Sequence, residues 1–183
     1  MKEKILLINI CKEELHSWEF VEPVKYILKE LEIDFFEKNN NKITSKDLKK
    51  ASRVIICGTS LYDNEFIKNF GKFKWIQNFD KPLLGICGGM QILGLLFGGK
   101  IQRCTEIGFY NEFFEKEFLG LKDKCEVYHL HNNFINFSKI NLFEVYCGGE
   151  VSQAIKHKEK EIYGVLFHPE VRNKDLIIKF CSL

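Results

Sequence analysis

Cys87 lies between glycines, in a segment whose residue types suit a nucleophile. The segment reads Gly85-Ile86-Cys87-Gly88-Gly89-Met90-Gln91, after a short apolar run and before an apolar helical pattern. A side chain at such a strand-to-helix turn projects above the sheet, and the positive end of the helix stabilises a thiolate. The backbone amide of Gly88 would point to where an oxyanion develops. We therefore predict that Cys87 attacks a carbonyl carbon.

His168 is the group expected to accept and return the proton that this chemistry requires. His168-Pro169-Glu170 directly follows the apolar run of residues 163–167. If that run is a buried parallel strand, His168 lies at the same carboxyl edge of the sheet as Cys87. Glu170 is close enough in sequence to orient the imidazole. Either a cysteine or a histidine alone is more often an ordinary core residue, but the combination predicts a Cys-His-Glu triad.

His129 and His131 alternate in a segment that has the pattern of a strand, so their side chains face the same side. Such a pair could bind a substrate or a metal ion. No third ligand is evident from the sequence, and none of the seven cysteines forms a Cys-x-x-Cys pair. We therefore predict no metal site and no cofactor.

The elements that must position these residues alternate in the first half of the chain. Apolar runs predict strands at residues 4–10, 33–36, 53–57 and 82–86, and helical spacing predicts helices at 20–31, 65–79 and 90–97. This order favours an α/β fold with a mostly parallel sheet. Beyond residue 100 the pattern predicts hairpin strands at 106–118, 125–130, 144–147 and 151–157, then a buried strand at 162–167 and a helix at 174–180. We expect a single domain over residues 1–183.

Composition excludes several classes of function. The chain carries 27 basic and 25 acidic residues without a basic cluster, which gives nucleic-acid binding no support. Its apolar runs are far shorter than the roughly 20 residues that cross a bilayer. The start of the chain lacks the pattern of a secretory signal, and the scattered cysteines suit a reducing compartment, so we expect a cytoplasmic protein.

The cysteine elbow and the His-Pro-Glu motif together resemble the class I, triad-type glutamine amidotransferases, which share Gly-x-Cys-x-Gly-x-Gln and a distal His-Pro-Glu. The resemblance covers nearly the whole chain. It implies a flavodoxin-like fold, with helices flanking a mostly parallel sheet and extra antiparallel hairpin strands. It also implies that Cys87 attacks the side-chain amide of glutamine, ammonia leaves, and water hydrolyses the glutamyl thioester. His168 would act as base and then acid, and Glu170 would hold its tautomer.

The same resemblance assigns roles around the triad. Gly58 matches a glycine loop that donates an oxyanion hydrogen bond alongside Gly88, and Gln91 matches a helix residue that lies against bound glutamine. The corresponding family segment lines the glutamine pocket through backbone groups, which implies a substrate-side role for His129, Leu130 and His131. Two departures stand out: Cys57-Gly58-Thr59 replaces a frequent Gly-Gly-Pro, and position 88 is glycine where a larger side chain is usual, which predicts a looser elbow.

The resemblance also implies a partner. Residues 154–157 and 163–171 are similar to the separate amidotransferase subunit of archaeal GMP synthase, whereas Asn173-Lys174 stands where those enzymes commonly have His-Thr. A paralogue of another pathway and a GMP synthase subunit both stay open. We expect a separate synthetase to receive the ammonia near the Cys87 edge, with His16 and Trp18 either contacting it or packing in the core. The alternatives are a γ-glutamyl peptide hydrolase and a non-catalytic regulatory subunit.

Overall fold

Nine strands form one sheet in the computed structural model, which describes residues 4–183. In chain order they are β1 (Ile5–Asn9), β2 (Phe35–Asn39), β3 (Arg53–Ile56), β4 (Leu83–Ile86), β5 (Ile101–Phe118), β6 (Leu121–Ile135), β7 (Phe143–Gly148), β8 (Ser152–His157) and β9 (Ile162–Val165). Across the sheet they follow the order β2-β1-β3-β4-β9-β8-β7-β5-β6. Residues 1–3, part of the segment searched for a secretory signal, lie outside the described residues.

The sheet is mixed. β2, β1, β3, β4 and β9 run parallel. The remaining strands continue the sheet in antiparallel pairs, of which the β5–β6 hairpin is the longest. The α/β class with additional antiparallel hairpin strands is therefore confirmed.

Six α-helices accompany the sheet in the described residues: α1 (Glu14–Phe20), α2 (Glu22–Glu30), α3 (Ser45–Lys50), α4 (Glu65–Lys68), α5 (Gly88–Leu96) and α6 (Lys174–Cys181). Short 3₁₀ segments cover Asn40–Lys42, Phe70–Asn78 and Phe137–Lys139. None of the helices among residues 4–183 is both long and apolar enough to span a membrane.

Two predicted helices are divided in the structure. The segment 20–31 belongs to α1 and α2, which meet at Val21. Pro23 lies in the first turn of α2, where its missing N–H is tolerated, so a new helix begins there instead of a continuation of α1. The segment 65–79 is the four-residue α4 followed by the 3₁₀ segment Phe70–Asn78. Two short helices were not predicted: α1, of which only Phe20 fell within a predicted helix, and α3.

Both faces of β1, β3, β4 and β9 are largely buried, which explains their apolar sequences, whereas β2 at the edge of the sheet is only partly buried. Along β1, Ile5 and Leu7 belong to one core cluster, whereas Leu6 and Ile8 belong to the other. Helices α2 and α6 pack against the first cluster, and α5 packs against the second. The rigid strands between these layers fix the positions of the loops at their carboxyl ends.

Candidate active site

Cys87 occupies a strained turn between β4 and α5. Its backbone has φ 49° and ψ −103°, a conformation that costs a non-glycine residue roughly 1–3 kcal/mol. Two hydrogen bonds hold it: Cys87 N donates to Val165 O at 2.7 Å, and Gln91 N donates to Cys87 O at 3.1 Å. The turn aims the side chain away from the sheet at the start of a helix, as an elbow nucleophile requires.

His168 is placed at the same edge because β9 pairs with β4 in parallel, with Val165 beside Ile86. Its Nδ1 lies 2.7 Å from Glu170 Oε1, and both side chains are buried. Its buried Nε2 is not engaged by Glu170 and has no partner at hydrogen-bond geometry among the described residues, although the Cys87 side chain is close enough to act on the ring. Burial lowers the pKa of His168, but the neighbouring side chains of Glu170 and Cys87 outweigh burial and hold that pKa well above its usual value.

Gly58 lies against the side chains of both Cys87 and His168. A Cβ placed on Gly58 would lie 2.8 Å from His168 Cε1 and 3.5 Å from Cys87 Cβ. Gly58 belongs to the loop after β3, and at this position only a residue without a side chain can approach the imidazole so closely. The structure thus brings residues 58, 87, 168 and 170 together, as the sequence predicted.

Strand β6 closes the site through its backbone. His168 N donates to Tyr128 O at 2.8 Å, and Cys87 Sγ donates to Leu130 O at 3.7 Å. Alternate carbonyl groups of one strand therefore contact Cys87 and His168. Leu130 reaches Cys87 through its main chain, and its role towards a substrate stays a prediction.

An open cleft of about 260 Å³ adjoins Cys87. Gln91 lines it and donates from Nε2 to Asn133 O at 2.9 Å, while its buried Oε1 has no hydrogen-bond partner among the described residues. Gly88 also lines the cleft, whereas Gly58 does not line it and lies against Cys87 and His168. The other lining residues are Thr59, Ser60, Leu61, Asp63, Asn64, Phe66, Leu130, His131, Asn132 and Asn133.

The loop after β3 contributes cleft residues that sequence reasoning missed. Asp63 is buried and accepts hydrogen bonds from Thr59 Oγ1 at 2.8 Å and from Lys12 N at 2.7 Å. These bonds tie the loop to the end of β1 and fix Thr59 at the cleft wall. A threonine followed four residues later by an aspartate, after a buried strand, was the available signal for such a loop.

Comparison with known proteins identifies the family. The model of the family "Glutamine amidotransferase class-I" matches residues 19–177. The chain belongs to this family.

Curated relatives of this amidotransferase include separate chains of GMP synthase. A "GMP synthase [glutamine-hydrolyzing]" subunit from Methanobrevibacter smithii is 35% identical over 109 residues, covering 55% of this chain and 56% of the relative. The subunit of the same name from Pyrococcus abyssi is 35% identical over 126 residues, covering 60% of this chain and 65% of the relative. The chain spans 19% of the GMP synthase of Spiroplasma kunkelii, at 39% identity over 95 residues and 49% of this chain. It thus matches less than two thirds of each of these proteins.

Solved structures support the fold. A candidate GMP synthase subunit from Thermoplasma acidophilum superposes with a TM-score of 0.85 at 24% identity, covering 100% of this chain and 94% of the other. A glutamine amidotransferase of Thermotoga maritima superposes with a TM-score of 0.72 at 22% identity, covering 100% and 82%. The amidotransferase fold expected from the sequence is confirmed.

Position 88 in the elbow of this amidotransferase is closely packed. A Cβ on Gly88 would lie 2.8 Å from Ile10 Cδ1 and 3.3 Å from the ring of Phe66. A larger side chain at this position would require Ile10 and Phe66 to move. The expectation that glycine loosens the elbow stays a prediction.

Other thiols near the site are held in the protonated form. Burial raises the pKa of Cys11 to about 11, and burial also raises the pKa of Cys57 well above its usual value. Cys11 Sγ donates to Gly58 O at 3.7 Å. These thiols pack as small apolar groups, and their raised pKa values make them poor nucleophiles.

His129 and His131 are neighbours in the structure, but only His131 lines the cleft. His131 lines the cleft, and burial lowers its pKa to about 4. His129 is fully buried and does not line the cleft, so its predicted contact with substrate is not brought about. The sequence showed no third ligand beside this pair. In the structure there is one, because a carboxylate oxygen of Glu106 and one ring nitrogen of each histidine all lie within 4.8 Å of one another. β5 supplies that carboxylate, and its pairing with β6 could not be read from the sequence.

Proposed function

We propose that this chain is a glutaminase subunit that hydrolyses glutamine to glutamate and ammonia through Cys87, His168 and Glu170. One observation supports this most strongly. A positive-φ cysteine at a helix start lies beside a buried histidine whose Nδ1 is engaged by a carboxylate at 2.7 Å. A buried, oriented imidazole next to a thiol is the arrangement that nucleophilic catalysis requires.

The proposed reaction begins with the Cys87 thiolate and the His168 imidazolium. The sulfur attacks the side-chain amide carbon of glutamine, and backbone N–H groups at Gly88 and in the Gly58 loop hold the oxyanion. His168 then donates its proton to the leaving nitrogen, so ammonia departs and a glutamyl thioester forms. Water, deprotonated by His168, hydrolyses the thioester to glutamate. Glu170 keeps the second ring proton on Nδ1, so that Nε2 performs each transfer.

Glutamate release by purified variants tests this proposal. Cys87→Ala removes the covalent centre, and we expect turnover to fall to background while circular dichroism stays that of the wild type. Cys181→Ala, at the end of α6, is the matched control and should keep normal turnover. Normal turnover in Cys87→Ala would show that Cys87 is not the nucleophile.

We further propose that the ammonia passes to a separate synthetase docked around the Cys87 edge. Trp18 is 64% exposed and does not pack in the core; two residues on, Phe20 packs against the His168 ring at 5.4 Å. Tyr62, 92% exposed, follows the cleft residue Leu61. Large exposed aromatic side chains around a reactive edge are typical of protein interfaces.

A synthetase that forms GMP is the partner we favour, because the names of the similar archaeal proteins are those of GMP synthase subunits. Mixing this chain with the GMP-forming synthetase of the same organism should produce glutamine-dependent GMP. A γ-glutamyl peptide hydrolase would instead prefer a γ-glutamyl conjugate over free glutamine in the same glutamate assay. In a non-catalytic regulatory subunit, wild type and Cys87→Ala would release glutamate equally slowly.

We also propose that residues 1–183 act as a single domain in the cytoplasm. All described strands join one sheet, and the seven cysteines are free, as a reducing compartment maintains.

A further inference from the structure

A group of histidine and glutamate side chains lies between the β5–β6 hairpin and the core, on the other face of β6 from the side chain of Leu130. The strand register pairs Glu106 directly with His131 and Gly108 with His129. The two histidine side chains are 0% and 1% exposed, and those of Glu106 and Glu112 are 19% and 17% exposed. The proposed hydrolysis of glutamine uses none of these four side chains.

Hydrogen bonding fixes which nitrogen of His129 is free. Its Nε2 lies 3.2 Å from Glu112 Oε1, so the ring donates there and carries its lone pair on Nδ1. That Nδ1 has no hydrogen-bond partner among the described residues and lies 3.9 Å from Glu106 Oε2. In metal sites, a histidine that binds the ion through one ring nitrogen usually donates a hydrogen bond from the other nitrogen to a carboxylate, as His129 does here to Glu112.

The other ligand atoms converge on the same point. His131 Nε2 lies 2.9 Å from Glu106 Oε2, which also accepts a hydrogen bond from Gln153 Nε2 at 2.7 Å. The ligand atoms of Glu106, His129 and His131 all lie within 4.8 Å of one another. Around a tetrahedral zinc ion with bonds of about 2.0–2.1 Å, ligand atoms are separated by roughly 3.3 Å. The separations of 2.9 and 3.9 Å bracket that value, so side-chain adjustments suffice.

We propose that His129 Nδ1, His131 Nε2 and the Glu106 carboxylate bind one transition-metal ion, of which Zn²⁺ is the expected species. Two imidazoles and a carboxylate are a donor set that zinc uses in proteins. A divalent cation also balances the charge of two largely buried carboxylates, which is costly without a counter-charge. Glu112 and Gln153 would orient the ligands from outside the metal.

The ion would act structurally on the proposed reaction centre. Leu130 lies between the two histidines, and its carbonyl accepts from Cys87 Sγ. Because His129 and His131 would be fixed to one ion, the main chain between them would be held in place against the thiol. This assignment is independent of which amide the enzyme hydrolyses, since it depends on metal uptake alone.

Metal analysis of the folded chain tests the proposal. The purified protein is stripped with a chelator, reconstituted with Zn²⁺ or Co²⁺, and desalted. We expect about one ion per chain, ligand-field absorption from the Co²⁺ form, and a higher unfolding temperature than that of the stripped protein. Glu106→Gln keeps the size of the side chain and should abolish uptake, whereas Glu112→Gln should weaken affinity by about 10–100-fold.

Two control variants separate this site from adventitious binding. Cys87→Ala excludes the reactive thiol as a ligand, and His157→Asn changes a buried histidine that accepts only from the N–H groups of Glu159 and Lys160. Both should bind metal like the wild type. Should Glu106→Gln fail to fold, His131→Gln replaces it. Unchanged uptake in the folded variant, or no uptake by folded wild type, would overturn the proposal.

Discussion

Gly58→Ala offers a sharp test of the site geometry because it adds one methyl group where two proposed catalytic side chains meet. The new Cβ would lie 2.8 Å from His168 Cε1 and 3.4 Å from His168 Nδ1. Gly58 does not have a left-handed φ, so alanine suits the backbone and the effect comes from the contact. The imidazole must therefore move, or the loop after β3 must retreat.

The size of the effect follows from that contact. To restore an ordinary separation, the distance must grow from 2.8 to at least 3.4 Å, a shift of 0.6 Å or more. The ring cannot absorb this freely, because it is 1% exposed and its Nδ1 is bonded to Glu170 at 2.7 Å. A misplacement of about 1 Å in an active site costs roughly 10²-fold in rate, or about 2.7 kcal/mol of activation free energy. Overpacking costs about 1–3 kcal/mol of stability.

Steady-state glutaminase kinetics, with glutamate as the measured product, would check this prediction. We expect kcat to fall roughly 10²-fold with a smaller change in KM, since the imidazole moves but the cleft wall does not. Gly71→Ala is the matched control, because Gly71 is exposed and a Cβ there would meet nothing within 4 Å. The control should keep the wild-type kcat and change stability by at most about 1 kcal/mol.

Two results would refute the reasoning. If Gly58→Ala turned over within threefold of the wild type while folded, the close approach of the loop to His168 would not exist in solution. If Gly71→Ala lost as much activity as Gly58→Ala, the loss would reflect glycine replacement in general and not the contact with His168.

Two further predictions concern the proton-transfer pair and the partner surface. Glu170→Gln removes a carboxylate that raises the pKa of His168, so the wild type should have a higher free energy of unfolding than the variant. This difference should be complete below about pH 6.5 and should shrink as the pH rises through the raised pKa of His168. Denaturant unfolding from pH 5 to 9 measures this difference; a gap that grows with pH would contradict the prediction, and some glutaminase turnover should remain. Tyr62→Ser should weaken synthetase binding by roughly 30-fold, the effect of losing about 2 kcal/mol, in a titration with the partner. Tyr26→Ser, a change at a 58% exposed position on α2, should not weaken binding, and equal losses in both variants would argue against the proposed surface.

The positions of most parallel strands along the chain were predictable because their burial shows in the sequence. β1, β3 and β4 are buried on both faces, so each gives an unbroken apolar run, and their carboxyl ends fall at one edge. Helix α3 was missed because none of its residues is buried, and it therefore has no apolar stripe. The available signal was the capping box between Thr44 and Asp47, whose side chains each bond the other's backbone.

The residues of the site were predictable to different extents. Cys87 comes immediately after β4, and His168 and Glu170 come a few residues after β9. Their proximity could therefore be predicted once β4 and β9 were expected to pair in parallel. The position of Glu106 depended on the β5–β6 register, which shifts between Arg103 and Glu106. A one-residue change in register turns a side chain to the other face of a sheet, and no feature of the sequence fixes such an irregularity.

Strand β6 links the two groups of side chains through the alternation of its residues. The carbonyl groups of Tyr128 and Leu130 accept hydrogen bonds from His168 N and Cys87 Sγ, while the intervening His129 points into the Glu106 group. Side chains alternate across a strand, so the same segment of β6 contacts the proposed reaction centre through its main chain. Its histidine side chains belong to the buried group with Glu106. Cys87 keeps its strained backbone only if its surroundings hold it there. The contact from Leu130 is one such restraint, so side chains that hold β6 in place also affect Cys87, the proposed nucleophile, without touching it.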